Sequence, residues 1–155
     1  TVVPQGPGTL NLTLFTHHAK HPGIRPFYDR LCAALQQGFA TIGIPTAIGP
    51  CAGSFCDGDY NLLHEGKKLV GTAQRWATGP TNPDGSGSTL GQHHCVVMTG
   101  GDPVTLCART DALYARAGLP DRADPTVHSA RHIDIPALLA ALDAPLSAIL
   151  TDRGT

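Results

Sequence analysis

The sequence predicts an α/β chain of the α+β kind, a mixed and largely antiparallel sheet flanked by helices. Three observations carry that expectation. Thr9-Leu10-Asn11-Leu12-Thr13-Leu14-Phe15 alternates apolar and polar side chains with period two, the pattern of a half-buried strand. Phe27, Leu31, Leu35 and Phe39 recur every four residues, which puts them in one apolar stripe along a helix. Two further strand-like runs, 60–64 and 68–76, are joined by Glu65-Gly66, a two-residue link suited to a tight hairpin. Strands and helices follow one another without a regular βαβ alternation, which argues against a doubly wound parallel sheet.

Each element has its local reason. Pro4-Gln5-Gly6-Pro7-Gly8 forms a turn ahead of the first strand, and the first helix starts with Pro26 at an initial position and stops at Gly43. Residues 44–48 are expected to form a short strand, and 49–58 a loop of small residues carrying two cysteines. After the hairpin, 78–90 lacks periodicity and core-building side chains, so a mobile surface loop is expected. The run 94–98 is apolar throughout, as in a strand covered on both faces. Asp102-Pro103 supplies a cap and a first helical proline for a helix through Leu106, Leu113, Tyr114 and Ala117, ending at Gly118. Residues 136–142 and 144–150 read as a short helical pair broken at Pro145.

Composition narrows the function classes. A chain of 155 residues is one domain or a piece of one, and 41% apolar content excludes intrinsic disorder. Eleven Lys plus Arg against 12 Asp plus Glu leave a net charge of −1, so no field gathers nucleic acid or anionic lipid. Neither partner is expected. No membrane-length apolar run or leader is visible, and a cytoplasmic or matrix-facing location is the expectation. Five cysteines lack the spacing of a zinc site or disulfide framework. Cys32, Cys95 and Cys107 sit in apolar stretches and are expected to be buried packing residues. The histidines at 17, 18, 21, 93 and 94 invite a metal reading, but neighbours on a strand point to opposite faces, and no metal is expected.

The densest chemistry lies in residues 53–76. Gly66-Lys67-Lys68-Leu69-Val70-Gly71-Thr72-Ala73-Gln74-Arg75, preceded by Asp59-Tyr60-Asn61-Leu62, resembles the biotin/lipoate protein ligase superfamily in its lipoate-protein ligase and octanoyltransferase branch. An isolated Lys-Lys pair would read as a solvated strand edge; ten ordered positions carry more. Gly8, Leu10 and Asn11 agree with the strand that precedes the hairpin in that branch, whereas Gln5-Gly6 and Thr9 depart from it. His93-His94 resembles its later strand.

The resemblance implies a class II aminoacyl-tRNA synthetase/biotin synthetase-like fold, with residues 1–155 as the carboxyl-terminal part of one catalytic domain, inactive alone. It implies that Lys68 holds acyl and phosphate oxygens, and that Asn11, Asn61, Gly71, Thr72, Ala73 and Gln74 line the binding site. Chemically this is coherent. An ammonium can offset charge that develops during acyl transfer, Gly71 admits a ligand close to the backbone, and Thr72 and Gln74 can donate hydrogen bonds. Cys56 and Cys51 lie in the loop where one part of the branch carries a thioester-forming nucleophile.

The leading expectation is a ligase that uses ATP, Mg2+ and lipoate to modify a lysine through lipoyl-AMP. The alternatives are an octanoyltransferase fed by acyl carrier protein through a loop cysteine, and a noncatalytic acyl-binding module. The implied partners are lipoyl domains of 2-oxoacid dehydrogenases or the glycine cleavage H protein.

Overall fold

A computed structural model describes residues 2–120 and 123–151. Thr1, where the resemblance places a junction with preceding sequence, lies outside the described residues. The chain runs β1 (Thr9–His18), α1 (Ile24–Thr41), β2 (Ala47–Gly49), β3 (Asn61–His64), β4 (Lys67–Thr78), β5 (Thr89–Met98), α2 (Pro103–Arg116), a 3-10 turn (Pro125–Val127) and α3 (Ile135–Thr151). The strands form one antiparallel sheet in the order β1-β5-β4-β3-β2. This is the α+β architecture that the sequence predicts.

One face of the sheet carries the core. Leu14 pairs with His93, and His93 with Gln74, so the residues of alternating parity in three strands share the side that packs against α1. Phe27, Leu31, Leu35 and Phe39 of α1 are fully buried against Leu62, Val70, Cys95 and Val97. The expected stripe is therefore the helix face that the fold uses. Cys32, Cys95 and Cys107 are buried, as their apolar settings indicate. Desolvation raises the Cys32 and Cys95 thiols to about 12, so both remain protonated packing groups. The β3–β4 link is a tight turn in which Glu65 (φ 51°) and Gly66 (φ 75°) are both left-handed, the requirement of a type I′ hairpin. Asp102 caps α2, its carboxylate accepting from the N–H groups of Val104 and Thr105, each at 3.1 Å.

Three local expectations are corrected. The short strand falls at 47–49 rather than 44–48, because Ile44 is drawn into the core and the Pro45 carbonyl pairs with His64 Nδ1. The strands flanking the predicted loop extend to Thr78 and back from Thr89, shrinking it to 79–88. What remains is cross-linked: Asn82 Nδ2 donates to Ser86 Oγ and the Gly87 carbonyl, and Ser88 Oγ donates to the Pro80 carbonyl. Finally, α3 does not break at Pro145. Leu138, Leu142 and Ile149 bury one continuous face across the proline, and that burial outweighs one lost backbone bond. Gly38 of α1 lets this face close in: a methyl there would stand 2.4 Å from Leu142 Cδ2.

A ring cluster fills the β1–β5–β4 end of the core. His93 stacks on Phe27 with centroids 3.6 Å apart, and Trp76 meets both edge-on. Gly91 makes the space, since a Cβ would lie 2.4 Å from His93 Nε2, 2.6 Å from Thr16 Oγ1 and 2.8 Å from the Trp76 ring. Gly91→Ala is therefore expected to lower unfolding free energy by about 1–3 kcal/mol in chemical denaturation. Burial depresses the His93 imidazole from 6.5 to about 4, with the charges of His18 and Arg30 acting in the same direction. Its neutral form favours the fold fully above pH 6.5, and that contribution is lost as pH falls toward 4 while the unfolded chain takes up the proton. Tm measured across that window should fall, and should fall less in His93→Phe.

Candidate active site around Lys68 and Cys56

The site begins with a slip in the sheet. Leu62 pairs with Val70, but Leu63 pairs with Lys68, so Leu69 is an extra residue in β4. Strict alternation would send Lys68 and Gly71 to opposite faces. The bulge re-aims the lysine. Its side chain then lies along Gly71, where an added Cβ would stand 3.1 Å from Lys68 Cε and 3.4 Å from Nζ.

Lys68 is only 5% exposed, although it carries a charge. Nζ donates to Ser54 Oγ at 3.2 Å, to the Cys56 carbonyl at 2.9 Å and to the Phe55 carbonyl. Three ammonium donors thus meet three oxygens of one loop. Desolvation lowers the Lys68 pKa, and the negative charges that Cys56, Cys51 and Asp57 can carry oppose that shift. Through these hydrogen bonds the ammonium organises residues 54–56.

The two candidate nucleophiles separate. Cys51 is buried and its thiol donates to the Val127 carbonyl at 3.5 Å. Cys56 is exposed and left-handed (φ 48°), a conformation that costs a non-glycine residue energy and recurs at functional sites. The loop is closed from several sides. The Cys51 N–H donates to Asp57 Oδ1 at 2.6 Å, and Asn61 Nδ2 donates to the Gly58 carbonyl at 2.6 Å and the Gly49 carbonyl at 3.3 Å. Asn61, expected to touch a ligand, spends its amide on closing this loop.

Segment 124–129, whose importance no local pattern signals, supplies the remaining wall. His128 is 2% exposed; its Nδ1 lies 2.9 Å from the Asp124 carbonyl and its Nε2 3.1 Å from the Phe55 N–H. Desolvation lowers its pKa, with the Lys68 charge in the same direction and Asp124 opposed. The Ser129 N–H binds the Lys68 carbonyl at 2.9 Å, which anchors the segment to β4.

The other expected binding residues divide between the two faces of the sheet. Asn11, Val96 and Gly71 form one cross-strand row, and Thr13, His94 and Ala73 the next, so Asn11, Gly71 and Ala73 share the face opposite α1. Thr72 and Gln74 face α1. Thr72 Oγ1 donates to the Tyr60 carbonyl at 2.5 Å, and Gln74 joins the Ile24 carbonyl at 2.9 Å to Trp76 Nε1 at 2.7 Å. Their polar groups support the wall of the site, because period-two alternation cannot aim four consecutive side chains at one ligand.

Two clefts meet at Cys56. One, of about 380 Å3, lies between the loop and α2 and includes Phe55, Thr110, Tyr114 and Leu119. The other, of about 430 Å3, lies toward the start of α1 and includes Arg25, Tyr28, Asp57, Asp59 and Tyr60. The exposed thiol therefore stands between a cleft walled by α2 and one at the start of α1, and Asp57 borders both.

No protein-family model matches the chain. Over 94% of its length it is 34% identical to an uncharacterized protein of Cupriavidus necator, of which it covers 57%. Over 54% it is 37% identical to the octanoyl-[GcvH]:protein N-octanoyltransferase of Kyrpidia tusciae, and over 46% it is 33% identical to the protein of that name from Geobacillus kaustophilus. The chain spans 29% and 26% of those two transferases, and little more than half of the first relative. These matches support the lipoate-protein ligase and octanoyltransferase branch that residues 66–75 resemble. Among the described residues no helix is long and apolar enough to cross a membrane.

Replacing the buried ammonium tests the loop's anchor. Lys68→Met leaves the Phe55 and Cys56 carbonyls without their donor and should cost about 1–3 kcal/mol in chemical denaturation, with faster proteolysis within 50–58. Gly71→Ala should produce a weaker version of the same change by crowding the lysine, read by the same two measurements.

Proposed function

We propose that the chain carries the nucleophile of an acyltransferase that moves an octanoyl or lipoyl group between lysine side chains of carrier proteins, through a thioester on Cys56. The observation that supports this reading is an exposed, conformationally constrained thiol held beside a buried ammonium at the junction of two clefts. The names of the two transferases suggest octanoyl-loaded glycine cleavage H protein as donor. Other lipoyl domains, including those of 2-oxoacid dehydrogenases, are then the acceptors.

The chemistry balances without a further reactant. The Cys56 thiolate attacks the acyl-amide carbonyl; the C–S bond forms, the C–N bond breaks, and the donor lysine leaves as an amine after taking a proton. An acceptor lysine amine then attacks the thioester, forming the new C–N bond and returning the thiol. One amide is exchanged for another, so no nucleotide is consumed. Thr110 and Tyr114 stand where an acyl chain entering the α2 cleft would pass, and Asp57 and Asp59 rim the side open to an approaching amine.

Octanoyl-H protein is incubated with the full-length protein, and the acyl-enzyme is followed by intact mass and by hydroxylamine sensitivity. Wild type and Cys51→Ser should form the thioester, and Cys56→Ser should not. A thioester that survives in Cys56→Ser rules out the assignment. Product formed only with lipoate, ATP and Mg2+ would instead establish the ligase, product formed only from octanoyl-acyl carrier protein would replace the donor, and tight octanoate binding without turnover would establish a binding module.

A further inference from the structure

The geometry points to His128 as the positioning residue that presents Cys56, by holding the Ser54–Phe55 peptide unit, one ahead of the Phe55–Cys56 unit that Lys68 holds, in one orientation. This rests on the reading of Cys56 as the nucleophile. His128 lies in the carboxyl-terminal segment, outside the hairpin and loop to which the chemistry has been assigned.

The hydrogen bonds allow one protonation state. The Asp124 carbonyl, 2.9 Å from His128 Nδ1, can only accept, so Nδ1 carries the proton. The Nε2 lone pair is then free to accept from the Phe55 N–H at 3.1 Å. Lys68 holds the Phe55 and Cys56 carbonyls from the opposite side. Between them, a neutral imidazole and a cation fix both ends of Phe55 and turn the next residue left-handed. A doubly protonated ring could not accept from Phe55. It would also add a second positive charge near Lys68.

Other contacts show that the segment serves this loop. The Asp124 N–H donates to the Gly53 carbonyl at 2.8 Å, the Val127 carbonyl accepts from Cys51, and the Phe55 ring packs on the His128 ring with centroids 3.9 Å apart. The ionisable groups facing the imidazole are Lys68 from β4, Asp124 from the start of the 3-10 turn, and Cys107 from α2, whose sulfur is 4.0 Å from Nδ1. Burial raises the Cys107 thiol to about 11, so it is a neutral neighbour over the working range. The charge of His128 itself therefore governs whether the loop keeps its acceptor.

The test compares His128→Leu, which removes the acceptor, with His128→Gln, which can place an amide oxygen near Nε2. Full-length proteins are assayed for single-turnover thioester formation from octanoyl-H protein, for alkylation of Cys56 by iodoacetamide, and for Tm. His128→Leu should slow thioester formation about 10- to 100-fold with KM for the carrier protein little changed, and His128→Gln should recover most of the rate. The wild-type rate should carry an acid limb below the ordinary histidine range that His128→Gln lacks. Alkylation of Cys56 should change in the same order as the thioester rate.

Equal rates in wild type and His128→Leu would overturn the inference. So would losses in both variants that simply track Tm, or an acid limb retained in His128→Gln. Alkylation needs no acyl donor, so alkylation rates that follow the predicted order while the wild type forms no thioester would reject the transferase reading and leave the positioning role standing.

Discussion

The local architecture depends on burying one ammonium. A lysine only 5% exposed is tolerable when its charge is fully met by hydrogen bonds. Lys68 meets that condition with one hydroxyl and two consecutive carbonyls from residues 54–56. Turning both carbonyls inward constrains the backbone between them, and the left-handed Cys56 is the residue that accommodates the constraint. An exposed thiol is thus a consequence of a buried cation.

That arrangement needs the bulge in β4, the bare backbone of Gly71 and a rigid loop. The bulge brings the lysine to the side of Gly71, and the absent Cβ leaves room for its last carbons. Asn61 and Asp57 close the loop from its own ends, while residues 124–129 close it from the far end of the chain. Lys68 and Asn61, which a sequence reading assigns to ligand binding, also make the hydrogen bonds that hold this loop. Buried donors and acceptors must be paired before any are left for a substrate.

The similarity to two octanoyltransferases supports the lipoate-protein ligase and octanoyltransferase branch, and the proposed thioester route rests on the placement of Cys56. Of the two loop cysteines, the buried Cys51 has its thiol engaged with the Val127 carbonyl, whereas the exposed Cys56 borders two clefts. An exposed thiol reached from two clefts leaves room for a donor and an acceptor to approach it, which is what the proposed two-step exchange requires.

Periodicity and local turn and cap residues determined the α+β class, the α1 stripe from Phe27 to Phe39, the tight hairpin at Glu65-Gly66 and the Asp102 cap. Each is set by interactions within a few residues, or by one face meeting a core, and so leaves a pattern in the chain. The short motif 66–75 likewise drew attention to Lys68 and its loop, the site on which the proposed chemistry rests. The uninterrupted α3, the sorting of Cys51 from Cys56, the two-faced division of residues 71–74 and the meeting of His128 with Phe55 were decided only by the tertiary structure. A bulge shifts side-chain direction without a composition signal, and a hydrogen bond spanning 73 residues of separation leaves no spacing to read. Local periodicity specifies which face a residue occupies; long-range packing decides what it finds there.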